Sequence, residues 1–391
     1  MTFKKRHLAL PIYVPSFLLS AAEGALLPIL PVSATNYGQG LAEASIVAGV
    51  MLVTAMLFEI PASWITTRIG ERRAMLLATV SAALLLAFAY LDLGYWALLV
   101  AAGGFGASHA MFGLARHSLL AHMTSGPGRP TAMALLGGMF RGGWAIGPII
   151  SGAIILALGL QAGYFVAILM CVLAGISVLS VKAEKLASTP SGQQGNIWVV
   201  ARREAPKLLT LGLASGIISG ARTIRLIGLP LLAVALGIDA ATSSLIFGIT
   251  GLIDFALFYV SGIIMAKYGK FWSSVPTLLM LGFAYLFTFW VTDLVTFWIL
   301  AAVTALANAI SAGINMVLGA DLAPEGARSE FLASFRLLTS GGSAVAPIVI
   351  ASLTAAISLP AALAITGLGN FLGAYLFWKY LPKYAPDHKK P

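Results

Sequence analysis

Long apolar stretches alternate with short polar ones along the whole chain. Runs of the roughly 20 residues that a bilayer crossing needs fall at 8–34, 43–67, 74–91, 95–121, 131–158, 162–181, 207–236, 242–266, 273–292, 295–320, 330–356 and 360–379, called spans 1 to 12 below. Turn-forming clusters punctuate them at Asn36-Tyr37-Gly38, Asp92-Leu93-Gly94, Gly126-Pro127-Gly128 and Pro324-Glu325-Gly326. The pattern predicts an all-α membrane protein. One polar stretch is much longer than the rest, Ala183 to Pro206, with TPSGQQGN at its centre. It reads as a flexible cytoplasmic linker, dividing the chain into a six-helix bundle over 1–182, a linker over 183–206, and a second bundle with a tail over 207–391.

Composition points the same way. Of 391 residues, 59% are hydrophobic and 10% charged, against about 25% charged in water-soluble domains. The mean hydropathy is +0.93. Span 1 is too long for a signal-peptide core and shows no convincing cleavage site, so it is expected to stay as a membrane helix. The single cysteine, Cys171, rules out a disulfide within the chain, and CxxC metal clusters are absent.

The net charge of +10 would suggest nucleic acid in a soluble protein. Here its distribution is an orientation signal. Twenty of the 24 Lys and Arg residues fall on one side of the predicted spans, from Lys4-Lys5-Arg6 through Arg68, Arg72, Arg73, Arg116 and Arg129 to Lys389-Lys390. The opposite loops carry Glu43, Asp92, Asp239 and Asp293. Positive residues mark the cytoplasmic side, so both termini are expected in the cytoplasm of a cell with the protein in its inner membrane. No nucleic-acid partner is expected.

The two halves repeat. A shift of 199 residues brings Pro31 onto Pro230, Gly70 onto Gly269, Arg129 onto Arg328, Gly142-Gly143 onto Gly341-Gly342 and Pro148 onto Pro347 without a gap. Between spans 2 and 3 stands Ser63-Trp-Ile-Thr-Thr-Arg68-Ile-Gly70-Glu-Arg72-Arg73, with a weaker copy at Gly262-Ile-Ile-Met-Ala-Lys267-Tyr-Gly269-Lys270. It resembles the cytoplasmic signature G-x-L-a-D-r-x-G-r-k-r of the major facilitator superfamily, with Thr67 at the aspartate position and Ser63 at the first glycine. Span 5 carries Gly143-Trp-Ala-Ile-Gly147-Pro148-Ile-Ile-Ser151-Gly152, which resembles that superfamily's antiporter signature g-x-x-x-G-P-x-x-G-G. In span 4, Gly104-Phe-Gly106 matches part of a third signature, R-x-x-q-G-x-G, with Val100 where the arginine stands. The resemblance covers essentially the whole chain. It implies 12 helices in two pseudo-symmetric halves, export of the drug/proton antiporter type, and a conformational role for Arg68, Gly70, Arg72, Arg73, Gly143, Gly147, Pro148 and Gly152.

Seven ionisable residues lie at depth within spans: Glu23, Glu59, Arg141, Arg222, Arg225, Asp254 and Arg336, with His109 an eighth candidate. A charge at the bilayer centre costs about 2.5–3.5 kcal/mol on insertion scales, so these side chains should face the interior or pair. At 1.5 Å per residue, Glu23 and Arg222 sit roughly 22 Å from the cytoplasmic end of spans 1 and 7. They are equivalent under the 199-residue shift. The resemblance places both spans along a central cavity, where the two residues would face one another. Arg225 lies one turn beyond Arg222 on nearly the same face. Glu59 precedes Pro61 and is expected to partner the basic loop through Arg68 or Arg129. Arg336 is expected to snorkel, Arg116 to be an ordinary cytoplasmic cation, and Phe140 and Trp144 to be packing residues.

Two transport readings follow. In one, Glu23 or Asp254, with Glu59 as a further acid, carries a proton that drives export of small amphipathic compounds. In the other, Arg222, Arg225 and Arg141 hold an organic anion. A non-transporting membrane sensor is a remote third. GxSxG, HExxH and Walker patterns are absent, so no enzyme and no cofactor is expected. The expected partners are a small-molecule substrate, protons and the lipid bilayer, with the protein acting as a monomer.

Overall fold

In the computed structural model, residues 9–124, 129–180 and 197–386 are described. The clusters Lys4-Lys5-Arg6, Gly126-Pro127-Gly128, TPSGQQGN and Lys389-Lys390 lie outside them, as does the side chain of Arg129. The described chain is helical throughout its spans. Eleven helices are long and apolar enough to cross a bilayer: Leu10–Asn36, Glu71–Tyr90, Tyr95–Met123, Thr131–Leu158, Gln161–Val178, Ala205–Ala235, Ala240–Tyr268, Lys270–Trp290, Leu294–Leu322, Glu330–Ala356 and Leu359–Tyr384. The twelfth span is a bent pair, Leu41–Leu57 and Glu59–Ile69, meeting at 51°.

The span expected over 43–67 is this bent pair. Pro61 has no N–H to return to Leu57, and its ring crowds the carbonyl one turn back. Phe58 turns the chain, and regular bonding holds on either side, Phe58 N–H to Thr54 O at 2.9 Å and Ala62 N–H to Phe58 O at 2.8 Å. Glu59 thereby falls in the first turn of the second segment, where the positive end of the helix dipole favours a carboxylate.

Contacts divide the chain into two compact units. The first holds spans 1–6 together with Ala233–Phe255; the second runs from span 7 to Leu232 and continues from Ala256. In the first, glycines set the packing. A Cβ on Gly147 would lie 2.0 Å from Ala21 O, and one on Gly143 2.3 Å from Phe17 O, so spans 1 and 5 touch backbone to backbone. Gly152 gives the same closeness to Ala241 O, at 2.9 Å. In the second unit a Cβ on Gly342 would lie 2.1 Å from Gly216 O. Gly342 and Gly216 are the 199-residue counterparts of Gly143 and Phe17, so the repeat extends to this contact.

The loop between spans 2 and 3 turns at Gly70, with φ +84°, and its counterpart Gly269 turns with φ +94°. Both conformations are open to glycine at low cost. After Gly70, Glu71 accepts from Ser118 Oγ at 2.8 Å and lies 3.2 Å from His122 Nδ1. After Gly269, Lys270 Nζ lies 2.8 Å from Asp321 Oδ2. Glu71 and His122 are the repeat counterparts of Lys270 and Asp321. The same strut is thus built twice, with the acid and its basic partner exchanged between the two positions. At the other membrane face, the Tyr37 hydroxyl donates to Asp92; burial, then the neighbouring carboxylate, pushes the phenol up to about 12.

Candidate functional site

Gly24 in span 1 has space for no side chain, because a Cβ would meet Trp144 O at 2.8 Å. This closeness lays the Trp144 indole beside Glu23, whose residue is 5% exposed. Trp144 Nε1–H donates to Glu23 Oε2 at 2.6 Å, and His109 Nε2 stands 3.4 Å from the same oxygen. His109 is flanked by aromatic rings. Phe105 stacks on it with centroids 6.1 Å apart, and Phe140 lies at 6.1 Å on a tilted plane. Phe140 also stands 5.5 Å from Trp144. The Arg116 guanidinium sits over Phe140 at 5.3 Å and Phe112 at 5.9 Å. Spans 1, 4 and 5 therefore enclose an acid, an imidazole, an indole and a guanidinium in a largely aromatic setting.

Arg116, expected as an ordinary cation at the cytoplasmic end of span 4, is buried at 5% exposure. Trp144 does more than pack, since its only polar atom bonds the acid. The signal for Arg116 lay in the spacing: Phe105, His109, Phe112 and Arg116 are separated by four, three and four residues, which is one face of a helix.

The other candidates separate into distinct settings. Asp254, at 9% exposure, pairs with Arg141 at 3.0 Å, joining span 5 to the part of span 8 in the same unit. Gly251 permits this approach, its virtual Cβ lying 3.1 Å from Ala145 Cα. In the basic loop, Arg68 stacks on Trp64 at 3.8 Å, and Arg72 Nη2 donates to Leu179 O at the end of span 6 at 3.1 Å. A cation there complements the negative end of the helix dipole. Arg73 is exposed. Pro148 lies inside the span 5 helix.

In the second unit, span 10 breaks at Ser311 to Gly313, where the backbone tightens, with Ile314 N–H donating to Ser311 O at 3.2 Å and Met316 N–H to Gly313 O at 3.0 Å. Three consecutive carbonyls, of Ile310, Ser311 and Ala312, lie at this break. Each receives a side chain from a different helix. Ser273 Oγ donates to Ile310 O at 2.7 Å, Arg222 Nη2 to Ser311 O at 2.6 Å, and Ser261 Oγ to Ala312 O at 2.5 Å. Arg222 Nη2 also reaches Ser311 Oγ at 2.9 Å. Asn315 Nδ2 ties the next turn to Ser219 Oγ at 2.9 Å. Arg225 is buried at 4% exposure, and Arg336 is exposed. Glu23 and Arg222 are thus each engaged within their own unit.

The sequence profile described as Major Facilitator Superfamily matches residues 12–272 and again 211–391. No curated protein matches the chain in sequence. Solved structures share the fold at low identity. A POT family transporter in complex with 5-aminolevulinic acid has a TM-score of 0.79 and 13% identity, covering 97% of each chain. A bacterial homolog of the human lysosomal transporter Spinster, inward-facing and unoccupied, has a TM-score of 0.75 and 13% identity over 100% of both chains. A human organic anion transporter has a TM-score of 0.66 and 18% identity, covering 96% of this chain and 100% of its own.

Proposed function

This chain belongs to the major facilitator superfamily of membrane transporters, and from that premise we propose that it is a proton-coupled exporter of small amphipathic compounds, of the drug/proton antiporter type, working by alternating access. The reading rests on one observation: the buried Glu23 carboxylate, bonded by the indole of Trp144 from the antiporter-like motif of span 5 and adjoining His109 of span 4. A carboxylate in such a setting has two usable states. Ionised, it is held by a neutral donor and a nearby imidazole. Protonated, it sheds the desolvation cost of a buried charge. A proton taken from outside and released inside changes which conformation is favoured, and so links proton entry to substrate exit.

Asp254 suits the task less well. Its protonation would leave Arg141, 3.0 Å away, without this counter-charge, and breaking a largely buried pair is costly. Arg222 and Arg141 are engaged by Ser311 and Asp254, which weakens the reading in which they grip an anion. The same proposal includes two six-helix halves at 1–182 and 207–391, cytoplasmic termini, the cytoplasmic (inner) membrane and a monomeric transporter. Purified protein in liposomes with an imposed pH gradient tests it, using ethidium as the amphipathic probe. Glu23→Gln should abolish gradient-driven ethidium flux while keeping exchange across the membrane at equal pH. Undiminished gradient-driven flux in Glu23→Gln removes Glu23 as the proton carrier. Gradient-driven flux confined to organic anions transfers the reading to anion transport.

A further inference from the structure

The proton reading leaves Arg116 without a role, yet it is the most anomalous charge in the first unit. It is 5% exposed, and its Nε and Nη1 atoms are buried without a hydrogen-bond acceptor. No carboxylate among the described residues lies within ion-pair distance of it. Glu23 and the His109 imidazole both lie within electrostatic reach of it. The Phe140 ring adjoins both groups, its centroid 5.3 Å from the guanidinium and 6.1 Å from the imidazole. Other acids on the elements packed against span 4 are Glu43, Glu59 and Glu71. Glu71 is taken by Ser118 and His122, and neither Glu43 nor Glu59 forms an ion pair with Arg116. On span 5, Arg141 is held by Asp254.

We propose that Arg116 is the fixed counter-charge of the Glu23–His109 proton site, acting on Glu23 across the aromatic cluster. The inference rests on the reading of Glu23 as proton carrier. With Glu23 ionised, the site holds one negative and one positive charge, each on a residue 5% exposed. Their attraction is weakly screened there. When a proton binds the carboxylate, Glu23 becomes neutral and the guanidinium is the sole formal charge left between them. A lone buried cation is expensive. It is relieved by moving Arg116 towards water, and span 4 is the element that must shift to do so. Arg116 is thus a positioning residue: it sets how readily Glu23 takes the proton and converts that protonation into a mechanical demand on span 4. The aromatic faces of Phe112 and Phe140 hold the cation without neutralising it, which keeps this demand from being cancelled by a local acid.

The experiment follows the carboxyl C=O band of Glu23 by infrared difference spectroscopy during pH titration of the purified full-length protein, assigned by its loss in Glu23→Gln. Arg116→Gln and Arg116→Met are both made, so that one failing to fold leaves the other. Removal of the positive charge should move the midpoint of the Glu23 band to higher pH by about one unit, a tenfold change in proton affinity. Arg116→Lys should return it to near the wild-type midpoint. A midpoint unmoved by charge removal, or moved equally by Arg116→Lys, overturns the inference and leaves Glu23 as proton carrier. Absence of any titrating Glu23 band sinks the proton reading itself, which separates the two failures.

Discussion

At the scale of single residues, the Trp144–Glu23 bond is the contact whose loss is most informative. Trp144→Phe keeps a ring of similar breadth and deletes one N–H. Hydrogen bonds to charged groups contribute about 1.5–3 kcal/mol, and this donor, 2.6 Å from Oε2, matters most when the carboxylate is ionised. The thermal unfolding temperature of Trp144→Phe in detergent should fall, and the same substitution should cost less in a Glu23→Gln background. An equal loss in both would reduce Trp144 to packing. Glu23 was legible in the sequence as an acid in an apolar run. Its partners were less so. A sequence shows that Trp144 and Arg116 lie on given helix faces, but not that Gly24 lets the neighbouring backbone approach so closely that the indole meets the acid. Arg222 illustrates the same limit: its depth was readable, whereas its acceptor exists only because another helix breaks.

At the scale of elements, every span was legible and its continuity was not. The apolar pattern fixes where a helix can lie in hydrocarbon, yet hydropathy is blind to a break within an apolar run. Span 2 carried a warning in Pro61. Span 10 carried one in Gly313, which adopts φ +83° where its repeat counterpart, Leu114, sits in an unbroken helix. The three donors Ser261, Ser273 and Arg222 come from spans 8, 9 and 7, so no local pattern announces them. Gly313→Ala tests the break. The nearest atom to an added Cβ is Met265 Cε at 4.0 Å, so the cost is one of backbone conformation, about 1–2 kcal/mol for an L residue in the left-handed region. Its thermal unfolding temperature should drop while Gly262→Ala, with open space around the added methyl, changes little. A second element-level prediction concerns the start of span 10. Asp293 caps it, accepting from Thr296 N–H at 2.8 Å. That backbone bond, followed by the Thr296 hydroxyl, holds the carboxyl below its ordinary range. A depressed folded-state value means that this contribution is present above the ordinary carboxylate range and lost as pH falls through and below it. Asp293→Asn should therefore flatten the acid limb of the stability profile and leave the neutral region nearly unchanged; an unaltered acid limb would dismiss the cap.

At the scale of the whole molecule, the 199-residue repeat carried the architecture, because markers such as glycine and proline answer to backbone geometry and so recur at equivalent places. Charge does not recur in that way. Glu71–His122 and Lys270–Asp321 occupy equivalent positions with the acidic and basic partners exchanged, a likeness that comparison by residue type misses. Charge does report on the membrane, since it is the basic residues that resist translocation, and the proposed orientation can be tested with the protein's own chemistry. Cys171 is fully buried and should stay silent to a membrane-impermeant maleimide, so one introduced thiol reads one loop. Leu93→Cys and Glu325→Cys place thiols in exposed turns between successive spans. Orientation with cytoplasmic termini requires Leu93→Cys to label in right-side-out vesicles and Glu325→Cys only in inverted ones. The reversed pattern would turn the molecule over. Proton entry would then begin at the face assigned here to the cytoplasm, while an antiporter would still exchange inward protons for outward substrate, because the gradient and not the orientation sets the direction of both fluxes.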